Sequence, residues 1–90
     1  MKNFKVELLE VEKVDGKEIK ELEFREPVGA DMEDFLGEMI SEDGKPKVGK
    51  GVTGLATRCI VSHNLTEDDI RGFSAKNYMQ IATRFMGFIK

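Results

Sequence analysis

Apolar and polar residues alternate over the first 25 positions and then recur every three or four residues. That pattern predicts a β-hairpin followed by helices. Phe4, Val6 and Leu8 alternate with Lys5 and Glu7, and Ile19, Leu22 and Phe24 form a second run. Between them, Val14-Asp15-Gly16-Lys17 marks a turn. A two-residue Asp15-Gly16 loop would set Leu8 against Glu23 and Val11 against Lys20. A three-residue loop, Val14-Asp15-Gly16, gives Gly16 the left-handed position. It sets Leu8 against Leu22, Val6 against Phe24, Val11 against Ile19 and Glu10 against Lys20. Facing apolar pairs stabilise a ladder, so the second register is the expected one. It leaves Glu7 opposite Glu23.

Pro27 ends the hairpin, expected over residues 3–26. Asp31 then reads as a helix N-cap, with Asp34 three residues on. Met32, Phe35, Leu36, Met39 and Ile40 make one apolar stripe, predicting a helix over about 31–40. Residues 41–51 hold three glycines, a proline and three lysines and read as a flexible loop. Val52, Leu55, Ala56, Cys59 and Ile60 repeat the stripe, predicting a helix over 52–63 with Asn64 as a left-handed C-cap. Thr66 opens a short helix over 66–72, with Ile70 and Phe73 inward. Ser74 caps a last helix over 75–89. The fold class is therefore α+β: a two-stranded antiparallel hairpin and three to four short helices in one domain, residues 1–90.

Composition narrows the function. The chain has 90 residues, 40% of them hydrophobic and 34% charged, a globular balance. One cysteine and one histidine exclude a thiolate cage and a multi-histidine metal site. The apolar runs are too short to span a membrane. The first residues have no signal-peptide core, so the expected setting is the reduced cytoplasm.

Few residues offer chemistry. Gly44, Gly49 and Lys50 approach a phosphate-binding loop, but Gly51 stands where a serine or threonine should meet magnesium, and Pro46 removes a cradle N–H. His63 lacks a recognisable nucleophile or orienting partner, and it suits a helix C-terminus through the dipole. Cys59 lies on an apolar helix face and reads as a small core residue. Glu67, Asp68 and Asp69 suit the positive end of a helix better than a cation site, since they point in different directions. Arg58, Arg71, Arg84 and the loop lysines lack the interleaved aromatics of a nucleic-acid surface. No catalytic residue, cofactor or metal is expected.

The last helix is different. Tyr78, Ile81, Ala82, Phe85, Met86, Phe88 and Ile89, with Met79 beside them, form a stripe wider than a domain this small needs. Methionine and aromatic side chains give adaptable surface. Tyr78, Met79, Phe85, Met86, Phe88 and Ile89 are the candidate partner-binding residues. The pattern points to a non-catalytic binding domain.

Two stretches carry a resemblance. Val14-Asp15-Gly16-Lys17-Glu18, followed by Leu22-Glu23-Phe24-Arg25-Glu26-Pro27-Val28-Gly29-Ala30-Asp31, resembles the opening of the small phage tail assembly chaperones of the Mu-like and P2-like kind. The segment from Leu65 to Tyr78, with Ile81 and Phe85 to Phe88, resembles their closing pattern of a short acidic turn before a final helix. Together they cover about half of the chain, and residues 36–55 carry none of the likeness. The resemblance implies a non-enzymatic helper that binds the tape measure protein and keeps it soluble in the bacterial cytoplasm while the tail tube polymerises. Such a helper is absent from the finished virion and has no nucleic-acid or membrane partner.

Two other classes compete. An acidic adaptor or inhibitor, such as a DNA mimic, would use the N-terminal half, and a small enzyme would use the Gly/Lys loop. The charge is polar along the chain. Residues 1–45 carry 14 acidic and seven basic side chains, net −7, and residues 46–90 carry three and seven, net +4. Opposite charge at two ends of one domain favours head-to-tail self-association.

Overall fold

Two antiparallel strands, β1 (Asn3–Val14) and β2 (Lys17–Arg25), lead into four helices: α1 (Gly29–Met39), α2 (Val48–Cys59), α3 (Glu67–Arg71) and α4 (Ala75–Met86). The computed structural model describes residues 2–40, 44–45 and 48–88. The α+β class and the order of elements agree with the sequence pattern.

The hairpin register differs from the expected one. Val14 pairs with Lys17, so the loop is the two-residue Asp15-Gly16. Both residues have positive φ, 51° and 79°, the requirement of the hairpin turn whose twist matches its strands. Apolar pairing is recovered further along. Phe4 faces Phe24 and Val6 faces Leu22, while Glu12 faces Ile19. Between Glu7 and Glu12 the register slips, so four residues of β1, 8–11, stand against Lys20 alone. Such a bulge swings side chains to the other face. Leu9 and Val11 consequently point to solvent, and Glu12 takes the place expected of Val11. Glu7 sits opposite Glu21, not Glu23.

Three backbone groups of the bulge are satisfied by one side chain. Asn77 of α4 is fully buried. Its Oδ1 accepts from the N–H groups of Leu9 (2.8 Å) and Glu10 (3.1 Å). Its Nδ2 donates to the Glu10 carbonyl (2.8 Å) and to Glu12 Oε2 (2.6 Å). Two backbone donors facing Oδ1 fix which way the amide points. Glu12 Oε2 also accepts from the Ser74 N–H at the start of α4. Ser74 caps α4 as expected, accepting from the Asn77 N–H. Thr66 caps α3, with Asp69 returning the bond to the Thr66 N–H.

α1 starts two residues earlier than predicted, and Asp31 lies at its third helical position with Val28 as N-cap. The Asp31 carboxylate accepts from the Val28 N–H (2.8 Å) and takes a two-pronged contact from Arg25 at 2.6 and 2.9 Å. Asp31 is buried. The Arg25 hydrogen bonds outweigh desolvation, and with help from the Val28 N–H they hold the carboxyl at about 2. The same contact raises the Arg25 pKa. The Arg25 and Asp31 of the quoted opening stretch thus tie the end of β2 to the start of α1.

α2 begins at Val48 and ends at Cys59, four residues before the predicted range at each end. The expected 41–51 loop is therefore shorter, and residues 41–43 and 46–47 of it lie outside those described. α2 occupies the middle of the domain. Val52, Leu55, Ala56 and Cys59 enter the core. Gly51 and Gly54 bring α1 close, since a Cβ on Gly51 would lie 2.8 Å from the Phe35 ring and one on Gly54 would strike the Glu38 carboxylate. Glu38 in turn pairs with Arg58 of α2. The chain leaves α2 by pairing with β2: Ile60 bridges Phe24, and the Val61 N–H donates to the Glu23 carbonyl (2.9 Å). That pairing ends the helix before His63. Asn64 is not left-handed, since among the described residues other than glycine only Asp15 has positive φ.

Candidate partner-binding surface

α4 is held by the hairpin and α2, and its apolar arc is wider than either covers. At about 100° per residue, Asn77, Ile81 and Phe85 share one side of the helix, and all three are buried. Tyr78, Ala82, Met86 and Met79 follow in order around the circumference. Tyr78 and Ala82 are half-buried, Met86 is 39% exposed and Met79 57%. This shoulder is where the apolar face of α4 runs out into solvent.

Phe85 does not belong to it. Its ring is fully buried, edge-on to Phe24 at 5.0 Å and to Phe4 at 5.4 Å. Period alone could not separate it from its neighbours, because a core residue and a surface residue of one stripe share the same spacing. Phe88 lies beyond the helix end, 41% exposed, with its ring 5.4 Å from Phe4. Arg84 closes this corner, its guanidinium 4.8 Å over the Phe4 ring and its Nη1 donating to the Lys5 carbonyl. Ile89 lies outside the described residues.

A groove of about 750 Å³ opens beside Tyr78 and Met79, with Lys50 and Arg71, Glu67 and Asp68 also lining it. Phe73 and Thr53 contribute to its wall. The Tyr78 hydroxyl meets Thr53 Oγ1 (2.9 Å) and donates to the Gly49 carbonyl (3.2 Å), fixing the ring against α2. Sequence reading did not bring α2 and α3 to this end of α4. The signal was present in Thr53, a polar residue one position from the α2 stripe that now answers the tyrosine hydroxyl.

The other candidates have local roles. Cys59 is buried beside Asp31, and burial pushes its thiol pKa up. His63 Nδ1 lies 2.8 Å from Ser62 Oγ, which accepts from the Glu23 N–H. Gly49 and Lys50 fall within the first turn of α2, not in a loop after a strand. Glu67, Asp68 and Asp69 form the first turn of α3. Among the described residues no helix is long and apolar enough to cross a membrane.

The family model described as phage tail assembly chaperone proteins, E, or 41 or 14, matches residues 5–90. The match includes residues 36–55, where the motif resemblance was silent. Comparisons with curated proteins and with solved structures give no match.

Proposed function

The chain belongs to the phage tail assembly chaperone family, and from that premise we propose that it binds the tape measure protein through the α4 shoulder and keeps it soluble. The chaperone role and a protein partner in the tail follow from the family. The tape measure protein is the partner that the resemblance implies, and the chemistry of the surface suits it. A long helical protein exposes apolar stripes before its tube forms, and an adaptable apolar surface suits it. The observation that carries the reading is the exposure of Met79 and Met86 on one side of α4. Tyr78 borders the shoulder, Phe85 supports the helix from within the core, and Phe88 offers a separate exposed ring beside Phe4. The chaperone acts in the host cytoplasm and leaves before the virion is complete. Its role is binding, with no catalytic step.

The test is co-expression of the tape measure protein with the wild-type chain and with the Met79→Ser/Met86→Ser variant. Wild type should leave the tape measure protein in the supernatant, and the variant should leave it in the pellet while melting at the wild-type temperature. A stably folded variant that still solubilises the tape measure protein refutes the reading.

A further inference from the structure

Four methionines lie among the described residues, and their surroundings divide them into two pairs. Met32 and Met39 of α1 are half-buried and pack against the core. Met79 and Met86 stand on the α4 shoulder, 57% and 39% exposed, and neither packs against the core. The carriers of the proposed binding surface are thus also the sulfur atoms most open to solvent.

The chain's cysteine offers an oxidant no easier target. Cys59 is fully buried, and burial pushes its thiol pKa up. Peroxides react with an accessible thiolate, and Cys59 is neither accessible nor a thiolate at neutral pH. A thioether has no proton to lose, so access alone decides how fast it reacts.

The effect of an added oxygen differs with place as well. At Met32 or Met39 it sets a polar group against packed side chains and weakens the fold. At Met79 and Met86 it converts exposed apolar surface to polar surface and leaves the packing alone. Met79 also lines the groove that holds Lys50 and Arg71, with Glu67 and Asp68. Lys50 and Arg71 have no ion-pair partner among the described residues. A sulfoxide oxygen on Met79 therefore has free donors in the same groove.

We propose that Met79 and Met86 form a reversible modification site, and that their oxidation to sulfoxides by peroxide switches off partner binding while the fold stays intact. In the step, a sulfur lone pair takes one oxygen from hydrogen peroxide, the O–O bond breaks, and the other oxygen leaves as water. Sulfur loses two electrons and the peroxide gains them. A thiol-driven sulfoxide reductase reverses the step: the oxygen leaves as water and two thiols become a disulfide. The loss of binding rests on the tape measure reading above, whereas the place of modification does not.

Dilute hydrogen peroxide on the purified chain, followed by tryptic mapping, tests the site. Cleavage after Lys76 and Arg84 puts Met79 and Met86 on separate peptides. Each should gain one oxygen several-fold faster than Met32 and Met39, at an unchanged melting temperature. Met32 and Met39 oxidising as fast as the α4 pair overturns the site, and so does a melting temperature that falls in step with the α4 sulfoxides. The mapping needs no tape measure protein, so it decides the site whether or not the reading above survives. For the switch, the tape measure protein is co-refolded with treated and untreated chain. Treated wild type should leave it in the pellet, and a methionine sulfoxide reductase with dithiothreitol should return it to the supernatant. In Met79→Leu/Met86→Leu the amount held, whatever its starting level, should be the same before and after peroxide. A leucine variant that loses as large a share as wild type overturns the switch. So does a wild type that carries both sulfoxides and holds as much as before.

Discussion

Asn77 and Glu10 exchange two hydrogen bonds across 67 residues of chain, the Glu10 N–H donating to Asn77 Oδ1 and Asn77 Nδ2 donating to the Glu10 carbonyl. With the Leu9 N–H and the Glu12 carboxylate, the amide has every donor and acceptor engaged. Asn77→Ala leaves the Leu9 and Glu10 groups without these partners at a buried contact, each at about 1–3 kcal/mol. A loss of at least about 3 kcal/mol in urea unfolding is the expected result. Asn77→Asp should not rescue it, because both bonds donated by Nδ2 disappear and a carboxylate is set against that of Glu12.

Acid should weaken the tie between Arg25 and Asp31. The Asp31 pKa is lowered from an ordinary 3.8 to about 2 in the folded chain. Its stabilisation is therefore complete above about pH 4 and is lost as pH falls through about 2. The difference corresponds to about 2 kcal/mol. Denaturant midpoints measured from pH 5 to pH 2 should fall in the wild type. In Asp31→Asn the curve should start lower and lose this part of its slope.

Gly51 and Gly54 should respond differently to alanine, although both face α1. In a helix the substitution alone gains up to about 1 kcal/mol. At Gly51 the new methyl meets the buried Phe35 ring, with the Phe35 carbonyl 3.3 Å away, so little can move. Overpacking there should cost about 1–3 kcal/mol. At Gly54 it meets the end of the Glu38 side chain, which can swing aside by loosening its contact with Arg58. Gly54→Ala should fall within about 1 kcal/mol of wild type. Thermal melts of the two variants make the comparison.

Phe85 and Met86 are neighbours in sequence with opposite expected sensitivities. Phe85→Ala removes a ring packed against Phe4 and Phe24 and should cost about 3–5 kcal/mol, enough to unfold much of a small domain. Met86→Ala removes a partly exposed side chain and should change stability by less than about 1 kcal/mol. Circular-dichroism melts of the two separate support from surface within one stripe.

Much of the fold was legible in local pattern. The alternation of Phe4, Val6 and Leu8, the place of a turn near Gly16 though not its two-residue length, the Thr66 and Ser74 caps and the period of the last helix each depend on near neighbours. The strand register was not legible, because the bulge at residues 8–11 is held by Asn77, far along the chain. The start of α2 was hidden because Gly49 and Gly51 read as loop, whereas Gly51 allows α1 to approach. On the candidate surface, the stripe named Tyr78, Met79, Phe85, Met86, Phe88 and Ile89 alike. It could not show that Phe85 turns inward or that Lys50 and Arg71 stand beside Met79.

The central helix has a consequence for how the domain opens. Val48–Cys59 contains three glycines and the β-branched Val48, Val52, Thr53 and Thr57, a composition that disfavours an isolated helix. Its persistence depends on α1, α4 and β2 being in place around it. The α4 shoulder rests on one flank of that helix and α1 on the other. Amide protons of α2 should thus exchange with solvent only when the whole domain opens. A chaperone built in this way has no half-folded form in which the α4 shoulder outlives the rest of the domain.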